Sequence, residues 1–399
     1  MSEVLRADPA MSDPLDHLDI DLLRQRRTSK WSFYGSDVIP AWVADGDGPI
    51  CPPVRAAIDA LLDRGDLTYP SDEPPVALAL AFASRMEARY GWRPDPARVT
   101  VFTDVVQAVS FAIDRLTSPG DPVMMHAPAF GPFVDEIEGL GRRPVLLPWR
   151  RTGQGWATGL EDMAVAVERG ARVLVLVNPH NPLGVVWKLP DLEALADLVV
   201  ERDLVVVADE IYAELTHDPH VHVPFGSLGP DIEARTLTLT SAAKSHNLAG
   251  LRCAVGHVGE RLEAMAGLSP SQIGQVSNIG FEATLAAWSE GDQWLESYRL
   301  SLTERRDRLA TALAAHLPTV DHVPPEATFL SWLDVRPLDL PDPPAQFFHD
   351  RALVALGAGD EYGPGGEGRV RLNFATSTEL LDEIIERMVT SVDIWRASR

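Results

Sequence analysis

Cysteine and lysine are scarce in this chain. Its 399 residues hold two cysteines, Cys51 and Cys253, which excludes a disulfide framework and a four-thiolate zinc site. Of the 35 basic residues only three are lysines, Lys30, Lys188 and Lys244. Chemistry that needs a lysine amine therefore has three candidates. No apolar run approaches the roughly 18–20 residues a membrane-spanning helix needs. An excess of positive charge is also missing: 58 acidic residues against 35 basic ones give −23. That balance argues against wrapping nucleic acid or docking on an anionic membrane. Residues 1–21 are acidic and lack the apolar stretch of a secretory signal, so a reducing cytoplasm is the expected location.

What is present is an ordinary globular composition, 45% hydrophobic and 23% charged. At about 150 residues per domain the length suits two to three domains. Residues 1–30 read as a loose arm with a basic cluster, Arg24, Arg26 and Arg27, the usual mark of a solvated face. From residue 51 apolar runs alternate with helical periodicity. Strands are expected at Val99–Phe102, Pro122–His126, Arg172–Val177, Leu204–Val207, Thr236–Thr240 and Arg252–Val258. Helices are expected at Pro53–Asp63, Val105–Leu116, Phe133–Leu140 and Asp191–Arg202. Continuous Val/Leu runs between helices predict an α/β fold with a mainly parallel central sheet covered on both faces. Beyond residue 280 a long helix, Asp292–His316, precedes strand candidates Thr328–Leu333 and Arg369–Phe374 and a last helix near Ser377–Trp395. This predicts an arm at 1–50 contributing to a small domain, a large α/β domain at 51–290, and a smaller α+β domain at 291–399.

Four segments follow predicted strands: Asn178-Pro179-His180-Asn181-Pro182-Leu183-Gly184, Asp209-Glu210-Ile211-Tyr212, Ser241-Ala242-Ala243-Lys244, and Arg252 beyond them. In a parallel sheet such segments converge at the carboxyl edge, where ligands sit. An amide, a carboxylate, a phenol, a hydroxyl, a lysine and an arginine at one edge suit pyridoxal phosphate. That cofactor needs an amine for its aldehyde, a carboxylate for its ring nitrogen, donors for its ring hydroxyl and a cradle for its phosphate. Singly, each element also reads as a turn or a strand end. Together and in this order they point to one site.

The pattern resembles the fold-type I pyridoxal-phosphate enzymes, the class I/II aminotransferase superfamily, from about residue 20 to the end. Within it the chain is most similar to the cystathionine β-lyase-like C–S lyases of the MalY/PatB type. That likeness rests on Trp42-Val43-Ala44-Asp45-Gly46-Asp47, Val177–Pro182 with Gly184 and Trp187, Lys244–Leu251, Thr328–Asp334 and Val370–Asn373. The resemblance implies the aspartate aminotransferase-like fold and a homodimer with its active site at the subunit interface. Lys244 is then the Schiff-base lysine and proton shuttle, Asp209 the partner of the ring nitrogen, and Asn181 and Tyr212 contacts of the ring hydroxyl. Phe130 stacks on the ring, and Val105, Val106, Ser241 and Arg252 hold the phosphate. Tyr69 reaches the neighbouring subunit's phosphate. Arg371 binds the substrate carboxylate, as arginine geometry favours, with Asp45, Gly48, Asn181 and His246 also facing substrate.

Several positions depart from that subgroup. Gly46 and Gly48 stand where a methionine and an aromatic residue are usual, which either opens a pocket for a larger substrate or relaxes a turn. Tyr212 replaces a histidine, as in aminotransferases. His246 replaces a phenylalanine; it is either an acid/base beside the substrate or a loop or core histidine. Thr103-Asp104 stands where a glycine-containing phosphate turn is common. Outside the constellation, His217, His220 and His222 read as a surface loop rather than metal ligands, and Cys253 reads as core.

The expected reaction is β-elimination on an S-substituted cysteine, releasing a thiol, pyruvate and ammonia. Transamination is the alternative that Tyr212 supports. Decarboxylating or oxidative processing of a bulky cysteine conjugate is a variant that Gly46, Gly48 and His246 suggest. A cofactor-binding regulatory protein that works through partner contacts is the reading from another class; the sequence shows no DNA-binding pattern, its charge is acidic, and Lys244, Asp209 and Arg371 argue for an active enzyme.

Overall fold

Seven strands form the larger sheet, in the order Val99–Phe102, Ala254–Val258, Thr236–Thr240, Val205–Asp209, Val173–Val177, Pro122–Ala127, Arg143–Pro148. Only Ala254–Val258 runs against its neighbours; the others are parallel to one another. The computed structural model describes residues 13–399 except positions 17, 154, 266, 267, 269 and 342 and the side chains of 270 and 271. The first twelve residues, on which the signal reading partly rests, lie outside the described residues.

Parallel strands need helical crossovers, and those helices cover both faces. Val173–Val177 is therefore buried at every position, which is why it reads as an unbroken apolar run rather than an alternating one. The crossovers include Val105–Leu116, Gly131–Gly139 and Leu189–Glu201. Because Val177 pairs with Asp209, and Asp209 with Leu239, the three central strands end side by side. Their following loops start at Asn178, Glu210 and Ser241, so one edge of the sheet collects the polar groups.

A second sheet orders Ile39–Ala41, Val354–Ala358, Arg369–Asn373, Leu330–Asp334 and Asp321–His322. The arm strand pairs parallel to Val354–Ala358 and leads directly into Trp42–Asp47. The Asp292–His316 helix runs for 25 residues, and Thr378–Ala397 closes the chain.

Three differences from the expected pattern bear on the site and its surroundings. Arg252 lies outside the sheet with φ +54°, a left-handed conformation, so the strand begins at Ala254. A helix at Glu73–Tyr90 occupies a stretch where the sequence predicts no element. The 217–222 loop lies at the surface through Asp218, Pro219 and Val221, but two of its histidines turn inward. His217 is buried between Thr303 Oγ1 and the Thr328 carbonyl, at 2.9 and 2.8 Å. His222 is buried against Glu210 Oε2 at 3.1 Å.

Candidate active site

The carboxyl edge of the larger sheet encloses a cavity of about 200 Å³. Its lining includes Lys244, Asp209, Asn181, Tyr212, Phe130, Ser241, Arg252, Val105 and Val106. The structure thus brings together nine residues expected from sequence. A larger open groove of about 750 Å³, between the Asp292–His316 and Thr378–Ala397 helices, holds none of them.

Each group is set by its element. Ser241 caps the short helical turn Ala242–Ser245 by accepting from Ala243 N at 3.0 Å, and its Oγ donates to the Cys253 carbonyl at 2.5 Å. Lys244 leaves that turn and donates from Nζ to the Ala44 carbonyl at 2.7 Å, with Asp45 Oδ1 3.9 Å away. Burial lowers its ammonium pKa, and the Asp45 charge opposes that shift. Asp209 ends its strand buried, and among the described residues its carboxylate accepts only from Ile211 N, at 3.1 Å. Burial pushes its carboxyl up to about 7. Among the described residues the buried Tyr212 Oη has no hydrogen-bond partner, and burial raises the phenol.

The Asn178–Gly184 loop closes on itself, with Gly184 N donating to the His180 carbonyl at 2.7 Å. Gly184 has φ +68°, and a Cβ there would stand 2.3 Å from Pro325 Cβ, so only glycine suits the turn. Asn181 Oδ1 accepts from Arg371 Nη1 at 2.9 Å, and Arg371 Nη2 donates to the Trp42 carbonyl at 2.6 Å. Arg371 also lies over the Tyr362 ring at 5.1 Å, and its Nε is buried without a partner. At the other end, Asp104 caps the Val105–Leu116 helix through Gln107 N at 2.9 Å, exposing the Val105 and Val106 amides to the cavity. Arg252 pairs with the Asp104 carboxylate.

Residues 44–388 match the model of the class I and II aminotransferase family. The chain belongs to that family. The "putative cystathionine beta-lyase" of Mycobacterium tuberculosis is 33% identical over 95% of this chain and 98% of its own. Cystathionine beta-lyase PatB of Bacillus subtilis is 31% identical over 90% and 95%. A crystal structure titled as a "putative plp-dependent beta-cystathionase" of Corynebacterium diphtheriae superposes with a TM-score of 0.89, at 33% identity over 95% and 99%.

The cofactor of this aminotransferase family, pyridoxal phosphate, fits the groups present. Asp209 is a buried carboxylate lacking a cationic partner within hydrogen-bond distance, as a protonated ring nitrogen requires. Tyr212 has an unspent hydroxyl where a ring oxygen needs a donor. The helix amides at Val105 and Val106, with Arg252 and Ser241, are the donors for a phosphate. Asp104 beside that cradle is an unusual anion, and Arg252 neutralises it.

Two expected substrate contacts are elsewhere. Gly48 is buried with its Cβ position 3.3 Å from Leu15 Cδ2 and 3.8 Å from Tyr298 Cε2, so the missing bulk is filled from within. His246 is fully buried and stacks on Trp294 at 5.8 Å, which stacks on Tyr298 at 4.9 Å. Burial holds its imidazole down to about 4, with Glu214 opposing. It is packed in the core and does not line the Lys244 cavity. Tyr69, 89% exposed, borders a separate depression with Asn278 and Glu282, outside the Lys244 cavity of its own chain.

The sequence reading assigned no roles to the residues that hold Trp42–Asp47 over Lys244. Asn373 Nδ2 donates to the Val43 and Asp45 carbonyls at 2.6 and 2.7 Å. Asn247 bonds both backbone groups of Gly46, at 3.0 and 2.9 Å. Buried Lys30 donates to the Asp45 carbonyl at 3.1 Å and to Asp47 Oδ2 at 2.8 Å. The signal for Asn373 was its spacing from Arg371, since alternate strand residues share a face.

Gly46 also makes a prediction. A Cβ there would lie 2.3 Å from Tyr298 Oη, and Tyr298 is fully buried in the stacked ladder with its hydroxyl unpartnered. G46A is expected to destabilise the protein by about 1–3 kcal/mol, read by denaturant unfolding. Y298F removes the clashing oxygen, so the double variant should recover most of that loss. Additive losses in the double variant would refute the contact.

Proposed function

We propose that this enzyme is a pyridoxal-phosphate-dependent C–S β-lyase acting on an S-substituted cysteine. The observation that carries the reading is the placement of Trp42–Asp47, one of the segments that resemble the lyase subgroup, directly on Lys244 through Ala44 O. The cofactor supplies an aldehyde that takes the substrate amine and a ring that stores the electron pair left at Cα. Arg371, held rigid by Asn181, Trp42 and Tyr362, orients the substrate α-carboxylate and fixes which Cα bond faces the lysine. Lys244, with its pKa lowered by burial, takes the α-proton as an amine. Loss of the sulfur substituent as a thiolate then yields, with water, pyruvate and ammonia. Tyr212 has its proton retained by burial and serves as a donor.

The large unit at 51–290, the smaller one at 291–399 and the arm at 1–50 are the division that accompanies this reading. The arm's own strand joins the smaller sheet. The active unit is a homodimer in which Tyr69, exposed in a single chain, reaches the partner subunit's cavity. Both cysteines are free and buried, and among the described residues no helix is long and apolar enough to cross a membrane. A reducing cytoplasm suits these facts.

The test is product identity. Purified enzyme with cofactor and a panel of S-substituted cysteines, without any keto acid, is expected to release pyruvate and free thiol in equal amounts. Transamination, the reading that Tyr212 favours, predicts no thiol and an amino-group transfer that appears only with added keto acid. An aldehyde with loss of carbon dioxide would refute both.

A further inference from the structure

Asp104 and Arg252 form an ion pair at one end of the Lys244 cavity, and both line it. Asp104 divides its carboxylate between two tasks. Oδ1 accepts from Gln107 N at 2.9 Å and caps the Val105–Leu116 helix. Oδ2 pairs with Arg252 Nη2. A cap needs one acceptor oxygen and no charge, since asparagine and serine cap as well as aspartate. The charge of Asp104 is therefore surplus to the helix. It also stands at the end of the helix dipole where the Val105 and Val106 amides would meet a phosphate.

The described residues lining the cavity carry two carboxylates, Asp104 and Asp209, and two cations, Lys244 and Arg252. With the cofactor seated, the ring nitrogen would take Asp209 and the aldehyde the Lys244 amine. Arg252 is then the one lining cation left for the phosphate, and Asp104 already holds it. On its outer side Arg252 borders an open depression whose lining adds another carboxylate, Glu136, and no further cation among the described residues. A doubly charged phosphate thus meets an arginine that it must share with a fixed anion.

We propose that Asp104 is a built-in competitor for Arg252, so that this chain grips the cofactor phosphate less tightly than the helix amides and an unshared arginine would. The opposite role, holding Arg252 ready for the phosphate, contributes little. The Arg252 side chain is 61% exposed, and an ion pair that open fixes its arginine only weakly. As the cofactor enters, Arg252 turns towards the phosphate, while Asp104 is pinned at the cavity wall by its cap bond. Asp104 then sets cofactor affinity and stands outside the proton-transfer machinery. The inference rests on the cofactor and not on the elimination reading.

Pyridoxine 5′-phosphate has the ring and the phosphate without the aldehyde, so its binding reads the phosphate cradle with Lys244 left out. Calorimetric titration of the full-length, cofactor-free protein compares wild type, D104N, R252Q and the double variant. D104N keeps a capping oxygen and removes the charge. It is expected to bind the probe about tenfold or more tighter than wild type. R252Q should cost about threefold or less in wild type, where the arginine is shared, and about tenfold or more in D104N, where it is free. Equal or weaker binding by D104N overturns the proposal. So does a loss from R252Q that is no greater in D104N than in wild type. Should D104N fail to fold, wild type and R252Q decide alone: a loss of about tenfold or more shows an unshared arginine and overturns the proposal, and a smaller one supports it. The titration reads binding only, so neither result bears on the elimination reading.

Discussion

Lys244→Ala is expected to lose at least about a thousandfold in turnover, because it removes the covalent anchor and the proton acceptor together. It is also expected to retain no cofactor after borohydride treatment. The two remaining lysines cannot substitute. Lys30 is buried and tied to Asp47 and the Asp45 carbonyl. Lys188 is exposed at the start of the Leu189–Glu201 helix. The variant should fold: the hydrogen bond it deletes is one to the Ala44 carbonyl, and the buried amine already carries a desolvation cost. Thermal unfolding of the cofactor-free variant close to that of the cofactor-free wild type would therefore accompany the loss of turnover. Borohydride fixation of cofactor to the variant would sink the assignment, and peptide mapping would then show which other amine had reacted.

The site was legible because its residues are placed by local chain. Asp209 ends a buried strand, and Asn181 and Lys244 follow theirs within one short loop. Once three neighbouring strands are parallel, their loops have nowhere else to converge. Buried runs such as Val173–Val177 carry that information in composition alone. What sequence left open depended on contacts across long separations. Gly46 and Gly48 read either as an opened pocket or as a relaxed turn until Tyr298, about 250 residues away, is seen filling the space. His246 reads as a loop or core residue in preference to an acid/base, and what settles it in the core is the stacked rings of Trp294 and Tyr298. The helix at Glu73–Tyr90 was hidden by two prolines, which look like breakers but sit in its first turn, where the missing N–H groups cost nothing. The arm strand Ile39–Ala41 spans only three residues, too few for periodicity, and gains its partner Val354–Ala358 more than three hundred residues later.

Asp209→Asn is expected to lower turnover by about a thousandfold while the variant still takes up cofactor, since an amide cannot hold a proton on the ring nitrogen by charge. Activity within about tenfold of wild type would remove Asp209 from that role. The same carboxylate gives a second, independent readout without cofactor. Its ordinary pKa is 3.8, and burial raises it to about 7 in the folded chain. A folded pKa above the unfolded one favours the protonated form. The stability it contributes is fully present below about pH 4 and is lost as pH rises through about 7. Relative to the cofactor-free D209N protein, which does not titrate there, cofactor-free wild type should weaken across that window. The slope is at most roughly 1.4 kcal/mol per pH unit. Cofactor binding should abolish the difference, because the ring nitrogen then supplies the cation that the buried carboxylate lacks. A difference between the two proteins that stays flat with pH would show that Asp209 is ionised and solvated in the folded chain. The need for a cationic partner at that edge of the sheet would then vanish.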